Sequence, residues 1–248
     1  MKKLEEYKKD KLWIENPNSI SIRSDLLVSK RVIEILGKVR NKKIVDLGCG
    51  NGKVARWLSQ NGAIVSGVDL TNQQIEFAKK IESEKNNGIK YFVKDISKQS
   101  FSLDEKYDIA IALMTHLYLN EKEFIQSIKN ACKALNNGGA FIYANIHPCR
   151  ILLSQEQKGA ILLNRNKEID YFKIQKLSSS IVSTTNTKST TNYYNHPLEF
   201  VLNTLIETGF KIKKIYEPQA TKQEIKKYHQ ILSNEDRLPS YLIVQCEK

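Results

Sequence analysis

Three glycines at alternate positions constrain the fold of this chain more than any other feature. They are Gly48, Gly50 and Gly52, and they follow the run Ile44–Leu47, which is apolar except for Asp46. Such a run indicates a buried parallel strand, and the glycines indicate a turn that needs positive φ or close backbone approach. The amphipathic segment from Lys53 to Gln60 is then predicted as a helix whose N-terminal amides face a ligand.

Strand and helix patterns alternate from about residue 24 to 146, which is typical of a doubly wound α/β sheet. The predicted strands of this region cover residues 44–47, 64–68, 91–93, 107–113 and 140–144. Thr71 with Gln74, and Asn120 with Glu123, are capping-box pairs that predict helix starts. A later helix over 198–208 and strands over 210–216 and 241–246 complete the pattern.

The length of 248 residues fits one α/β domain, or one domain with an elaboration, so no second domain is required. The regular pattern breaks between residues 148 and 194, where Ser178 to Asn192 is rich in Ser, Thr and Asn. A connection of this length is usually functional. We therefore expect an insert over the substrate site at 148–194, with a solvated ribbon as the alternative.

The formal net charge of +12 keeps a nucleic-acid partner open, but the basic residues are mostly lysines spread along the chain, so this partner is not favoured. A charged N-terminus and the lack of an apolar run of about 18 residues predict a cytoplasmic protein that does not cross a membrane. The four cysteines form no C-x-x-C pair, which argues against a metal site or a disulfide framework. The sequence leaves the oligomeric state open.

The glycine spacing also separates two classes of nucleotide site. Rossmann-type dehydrogenases use G-x-G-x-x-G without an acid just upstream. Here the glycines fall as G-x-G-x-G, Asp46 precedes them, and Asp69 ends the second predicted strand. This arrangement favours an adenosine-containing ligand that lacks a pyrophosphate.

The motif VDLGCGNGK at 45–53, followed by GVDL at 67–70, resembles motifs one and two of the class I S-adenosylmethionine-dependent methyltransferases. The resemblance spans roughly residues 40 to 146. It implies a Rossmann-like, seven-stranded, mostly parallel sheet with helices on both faces and an antiparallel closing strand. It also implies S-adenosyl-L-methionine as cofactor and S-adenosyl-L-homocysteine as product.

The resemblance assigns roles at the amino-acid end of the cofactor. Gly48, Gly50 and Gly52 would line this end, where a side chain would collide with the cofactor, and Asp46 would help to hold the cofactor's ammonium group. Leu113 and Met114, which end the fourth strand, would lie near the methionyl portion. Asp46 could instead cap the following turn.

Other residues take roles at the adenosine end. Asp69 would accept hydrogen bonds from both ribose hydroxyls, because a carboxylate is an acceptor-only group, and Leu70 would pack on the adenine. Asp95 would meet the adenine amino group, and Ile96 would contribute its backbone N–H. Asp95 could instead begin an ordinary loop.

Two histidines are candidate catalytic bases for the methyl acceptor. His116 follows the fourth strand and His147 the fifth, so both lie at the carboxyl edge of the sheet, where open α/β proteins bind ligands. Either ring could instead simply bond backbone.

Four residues are candidates for binding the acceptor. His147-Pro148 and the late stretch Tyr193 to Pro197 resemble a bacterial methyltransferase-domain subgroup of small-molecule enzymes, which makes Tyr194 and His196 candidates. Their alternatives are packing for Tyr194 and helix capping for His196. In the resembled fold the segment before the first helix often covers the cofactor, which implies an N-terminal lid at 1–23. Tyr7 and Trp13 would belong to this lid, although Trp13 could instead only seal the core.

The predicted function is methyl transfer to O, N or C of a small molecule by in-line displacement. One alternative is a tRNA or rRNA methyltransferase, but Leu113 to His116 lacks the Asn/Asp-Pro-Pro-aromatic pattern of exocyclic-amine enzymes, and Pro148-Cys149 follows the wrong strand for a cytosine-5 enzyme. The other alternative is a non-catalytic cofactor-binding subunit. The retained acids and glycines argue against it.

Overall fold

The computed structural model describes residues 24–152, 161–163, 170–182, 188–232 and 239–248. These residues form ten strands, which are β1 Lys43–Leu47, β2 Ile64–Asp69, β3 Lys90–Val93, β4 Tyr107–Leu113, β5 Leu135–Ile146, β6 Ile161–Leu163, β7 Lys176–Val182, β8 Lys188–Tyr194, β9 Lys211–Tyr216 and β10 Tyr241–Glu247.

Seven of these strands form the main sheet, in the order β3-β2-β1-β4-β5-β10-β9. The neighbouring pairs from β3 to β5 are parallel, and β10 runs antiparallel to both β5 and β9. The predicted seven-stranded, mostly parallel sheet with an antiparallel closing strand is therefore confirmed. The strand order reverses between β1 and β4, and this is where open α/β sheets bind ligands.

The described helices are α1 Lys30–Leu36, α2 Lys53–Gln60, α3 Asn72–Lys85, α4 Glu121–Ala134, α5 Leu198–Glu207, α6 Lys222–Lys227 and α7 His229–Leu232. A π-helical turn over Asp25–Ser29 leads into α1. The capping box predicted at Asn120 and Glu123 is present in full at the start of α4. Thr71 is the N-cap of α3 as predicted, but its side chain makes no capping bond to the helix backbone.

Strand β5 begins five residues before its predicted start at Ala140. Leu135 pairs with Tyr107, and Ala140 pairs with Ile109, so the residues between them form an irregularity in a continuing strand. The Asn-Asn-Gly-Gly stretch at 136–139 lies in this irregularity, and Gly138 has a φ of 74°. Glycine and asparagine mark a bulge here rather than the end of a strand.

The polar tract from Ser178 to Asn192, where no element was predicted, contributes to β7 and β8. These strands pair antiparallel from Lys176–Tyr194 to Val182–Lys188, and β6 adds on the far side of β7. Backbone pairing needs no apolar pattern, so alternating hydrophobicity could not reveal this smaller sheet.

Two apolar clusters cover the two faces of the main sheet. One contains Val32, Leu58 and Ile75, and so packs α1, α2 and α3 on one face. The other contains Phe124 and Leu205, and so packs α4 and α5 on the opposite face. Within the described ranges, no helix has both the length and the apolar character needed to span a membrane.

Candidate functional site

The glycine turn joins β1 to α2 with three left-handed residues. Gly48, Gly50 and Gly52 have φ values of 84°, 53° and 76°. A Cβ at Gly48 would overlap the Thr115 side chain, and a Cβ at Gly52 would overlap the Tyr91 ring, whereas a Cβ at Gly50 would meet nothing within 4 Å. At Gly48 and Gly52 the protein's own packing already excludes a side chain, and the expectation that all three glycines line the cofactor stays a prediction.

The Asp69 carboxylate ties the end of β2 to this turn. Its Oδ2 accepts a hydrogen bond from the Gly50 N–H at 2.9 Å, and its Oδ1 accepts one from the Thr71 N–H at 2.8 Å. Burial raises the pKa of Asp69, and these N–H donors act in the opposite direction. A carboxylate offers about four acceptor positions, so two bonds to backbone leave capacity for ligand hydroxyls.

Asp46 lies close to Asp69 and is 3% exposed. Burial, and then the charge of Asp69, raises the pKa of Asp46 to about 7. The N–H groups of Gly48 and Cys49 donate to the Val68 carbonyl at 2.7 and 2.9 Å. Those turn amides are therefore satisfied without Asp46, which weakens the alternative that Asp46 only caps the turn.

Asp95 organises the loop after β3. Its Oδ1 accepts hydrogen bonds from the Ser97 N–H at 2.9 Å and the Ser97 hydroxyl at 2.6 Å. Ile96 is buried, and its carbonyl accepts a bond from the Asn130 side chain at 2.8 Å. Asp95 thus forms the loop contacts expected of its alternative role. Leu70, which follows β2, is half-buried.

The end of β4 carries backbone strain. Met114 has a φ of 56°, which is uncommon for a residue with a side chain, and its N–H donates to the Ala144 carbonyl at 2.8 Å. Leu113 and Met114 are both half-buried. Strained residues of this kind cluster at ligand sites, where the surrounding structure holds them in place.

Thr115 and Tyr91 shape the turn although the sequence analysis named neither. The Thr115 hydroxyl lies 3.1 Å from the Leu47 carbonyl and 3.2 Å from the Leu113 carbonyl, so it links the ends of β1 and β4. The Tyr91 ring fills the space beside Gly52 and Gly67. The combination of a tyrosine in β3 with glycines at 52 and 67 was a weak sequence signal for this packing. Nothing in the sequence pointed to Thr115.

His116 is 1% exposed and packs against aromatic rings. Its ring centroid lies 5.1 Å from that of Phe124 and 5.2 Å from that of Tyr143. Among the described residues, neither of its ring nitrogens has a hydrogen-bond partner. Burial lowers the pKa of His116 to about 3, so the ring is neutral at pH 7.

His147 has both ring nitrogens engaged. Its Nε2 lies 3.0 Å from Glu217 Oε1, and its Nδ1 accepts a bond from the Cys149 N–H at 3.2 Å. Burial lowers the pKa of His147, although Glu217 acts in the opposite direction. The ring therefore bonds backbone, as the alternative reading expected, and it also contacts the Glu217 side chain.

His196 and Tyr194 lie where β8 leads into α5. The His196 ring nitrogen Nε2 is 2.9 Å from the Leu119 carbonyl, and Pro197, not His196, is the N-cap of α5. Burial lowers the pKa of His196 to about 4. Tyr194 is half-buried, while Tyr7 and Trp13 lie outside the described residues.

A small cleft that is partly open to solvent lies beyond the carboxyl ends of β4 and β5. Its lining consists of Leu117, Tyr143, Asn145, Ile146, His147, Pro148, Tyr193, Tyr194, Asn195 and His196. Three tyrosines, two asparagines and two histidines provide its polar groups. No lysine, arginine or carboxylate is among these lining residues, and no described group of three or more His, Cys, Asp or Glu could hold a metal ion.

Residues 44–139 match the model of the family described as methyltransferase domain. The chain is 26% identical over 132 residues to a protein named probable S-adenosyl-L-methionine-dependent methyltransferase TehB of Haemophilus influenzae, with 53% of this chain and 43% of that protein covered. It is 27% identical over 121 residues to the ubiquinone biosynthesis O-methyltransferase of Coxiella burnetii, with 48% and 50% covered. The chain thus spans half or less of the length of these curated relatives.

A solved structure shares the fold. The S-adenosylmethionine-dependent methyltransferase from Mesorhizobium loti superimposes with a TM-score of 0.68, at 24% identity, over 88% of this chain and 96% of that chain. The similarity extends beyond the matched family region to most of the chain.

Proposed function

We propose that this chain, whose residues 44–139 are a class I S-adenosylmethionine-dependent methyltransferase domain, transfers the methyl group of S-adenosylmethionine to O, N or C of a small-molecule acceptor. One observation carries the proposal. The buried Asp69 carboxylate faces a glycine turn in which the Gly50 position is open, so an acceptor for ribose hydroxyls adjoins the space that a nucleoside cofactor needs.

The residues present fit this cofactor. Gly50 leaves room because a Cβ there would meet no atom within 4 Å, and Asp69 keeps acceptor capacity for hydroxyl groups. Asp46, in its ionised form, would hold the ammonium group. When bound, the cofactor supplies an electrophilic methyl group on a sulfonium centre with a good leaving group.

The chain's own contribution is mainly alignment. In-line transfer needs the attacking atom held at a fixed distance and angle, and good positioning removes several kcal/mol of barrier. Unlike His147, His116 has no hydrogen-bond partner for its ring nitrogens among the described residues. A pKa of about 3 nevertheless makes His116 a weak base at neutral pH. We therefore assign His116 and His147 a smaller share of the rate than the positioning of the acceptor.

The cleft beyond β4 and β5 is the proposed acceptor site, with Tyr194 and His196 in its wall. Its tyrosine, asparagine and histidine lining suits a small acceptor without formal charge. A polyanionic RNA would be expected to meet lysines or arginines there, because phosphate contacts dominate nucleic-acid binding. This lining favours the small-molecule acceptor over the tRNA or rRNA alternative.

The test starts with the cofactor. S-adenosylhomocysteine should stabilise the chain in thermal denaturation, and Asp69→Ala should weaken its binding by about 1.5 to 3 kcal/mol, the order for losing bonds to a charged group. Asp104→Ala, at an exposed carboxylate, is the matched control and should leave the dissociation constant unchanged. An unchanged constant for Asp69→Ala would contradict the assigned role.

The acceptor class is tested separately. A methyl-release assay with labelled cofactor over a panel of neutral metabolites and total tRNA should place label in a small molecule. Stabilisation by S-adenosylhomocysteine with label entering only tRNA would overturn the acceptor class, and no stabilisation at all would overturn the function itself.

A further inference from the structure

Three reactive side chains meet outside the proposed cofactor site. Cys149 Sγ lies 2.9 Å from His147 Nδ1, and His147 Nε2 lies 3.0 Å from Glu217 Oε1. A thiol within reach of an imidazole that is itself held by a carboxylate is the arrangement that activates a nucleophile. These three residues are named here the thiol triad.

Separate elements bring the triad together. His147 follows β5, and Cys149 lies in the short 3₁₀ turn Pro148–Leu152, while Glu217 follows β9. Since β10 runs antiparallel between β5 and β9, its start lies at the same edge of the sheet, and the Pro239 carbonyl there is 3.9 Å from Cys149 Sγ. The ends of three strands therefore hold the triad.

The hydrogen bonds define the proton positions. Glu217 can only accept, so His147 Nε2 carries a proton and donates it to Glu217. His147 Nδ1 then has its lone pair directed at Cys149, whose backbone N–H also donates to it at 3.2 Å. In this tautomer His147 is oriented to take the thiol proton.

We propose that Cys149 is a base-assisted nucleophilic thiol that forms thioethers with α,β-unsaturated carbonyl compounds. The thiol proton passes to His147 Nδ1, and the sulfur forms a bond to the β-carbon of the electrophile. The π electrons of the carbon–carbon double bond move to the enolate, and the α-carbon then takes a proton back from the imidazolium. The addition is redox-neutral, and Glu217 stabilises the transient imidazolium.

The triad borders the proposed acceptor cleft, because His147 and Pro148 line that cleft. A thioether on Cys149 would therefore lie beside the cleft. The proposal does not rest on the methyltransferase function, since thiol addition needs no cofactor.

The chain contains its own control in Cys132. Both Cys132 and Cys149 are partly exposed, whereas Cys49 and Cys246 are buried. Burial disfavours the thiolate of both residues. Lys248 and Lys106 offset this at Cys132, whereas at Cys149 Glu217 adds to it and Arg150 partly offsets it. Simple electrostatics thus predicts that Cys132 reacts faster, and the triad predicts that Cys149 does.

The experiment is competitive labelling of the whole chain with limiting N-ethylmaleimide at pH 7, read by peptide mass spectrometry. Cys149 should label at least about tenfold faster than Cys132, and His147→Ala should slow Cys149 by about 100-fold, the usual size of general-base assistance. The rate at Cys132 should not change in that variant.

Glu217→Gln distinguishes a base-assisted thiol from an unassisted thiolate even if His147→Ala folds poorly. Glu217 is largely exposed, so its substitution should leave the fold intact. Loss of imidazolium stabilisation should slow Cys149 labelling about tenfold. If Cys149 reacted only as an unassisted thiolate, removing the nearby negative charge would speed it up. Faster labelling in Glu217→Gln, or Cys132 labelling first in the wild type, would overturn the proposal.

Discussion

At the scale of single residues, the candidate site contains a pair of buried carboxylates. Asp46 and Asp69 are 3% and 7% exposed, and each charge makes the other more costly. Two backbone N–H donors partly offset the cost of burying the Asp69 charge, while the pKa of Asp46 rises to about 7. The two acids are therefore suited to different tasks, with Asp69 as a fixed acceptor and Asp46 as a group that ionises fully when a cation arrives.

Binding of S-adenosylhomocysteine should depend on pH through Asp46. The ligand ammonium favours the ionised carboxylate, so affinity should rise from about pH 5 to the pKa of about 7 and level off between about pH 7 and 8. Isothermal titration calorimetry across this range measures the profile. Asp46→Asn should bind more weakly at pH 8 and lose most of the pH dependence, and an unaltered slope would exclude Asp46 as its source.

Asp46→Asn should also stabilise the free protein at high pH. The folded pKa of about 7 lies above the unfolded value of 3.8, so the folded state holds the proton more tightly, and ionisation weakens the fold as pH rises from 4 to 7. The free energy of unfolding of the variant should exceed that of the wild type by little at pH 4 and by up to about 4 kcal/mol above pH 7. Urea unfolding at pH 4 and pH 8 measures it, and an equal difference at both would contradict the assignment.

At the scale of elements, the turn between β1 and α2 combines two requirements in three glycines. Gly48 and Gly52 make room for the protein's own Thr115 and Tyr91 side chains, whereas Gly50 borders open space. All three also need positive φ. In this stretch of five residues, the outer two glycines serve packing and the middle one leaves room for the proposed ligand.

Alanine at Gly48 and at Gly50 should therefore have different effects. Gly48→Ala adds a left-handed alanine and an overlap with Thr115, which should cost about 2 to 4 kcal/mol of unfolding free energy. Gly50→Ala should cost only about 1 kcal/mol but weaken S-adenosylhomocysteine binding at least tenfold, because its methyl group enters the proposed ligand space. Urea unfolding and calorimetry on both variants separate the effects, and equal stability losses would contradict this division.

At the scale of the whole molecule, the smaller sheet contacts the main domain through a third apolar cluster. This cluster contains Leu117 from the turn after β4 together with Leu177 and Tyr193 from β7 and β8. The contact is small compared with the two clusters that cover the main sheet. The smaller sheet should therefore open independently of the rest, because units with few buried apolar contacts have low local stability.

Tyr193→Ala should loosen the smaller sheet without unfolding the main one. Tyr193 is 4% exposed, so the truncation removes buried apolar contact. Hydrogen–deuterium exchange should increase over 176–182 and 188–194 and stay unchanged over β1, β4 and β5. Phe172→Ala, at a ring that is 84% exposed, is the control and should change neither region. Increased exchange throughout the main sheet in Tyr193→Ala would show that the two units are coupled.

Sequence patterns alone predict the strand alternation, the glycine turn, the Asn120 capping box, and the places of Asp46 and Asp69 near the ends of their strands. Each of these rests on residues close together in the chain, where periodicity and turn chemistry act. Three further features are visible only in the folded chain: Thr115 occupies the space beside Gly48, Glu217 contacts His147, and a polar tract pairs as β7 and β8. Those contacts join residues from separate elements or rest on backbone pairing, and neither leaves a periodic signal in the sequence.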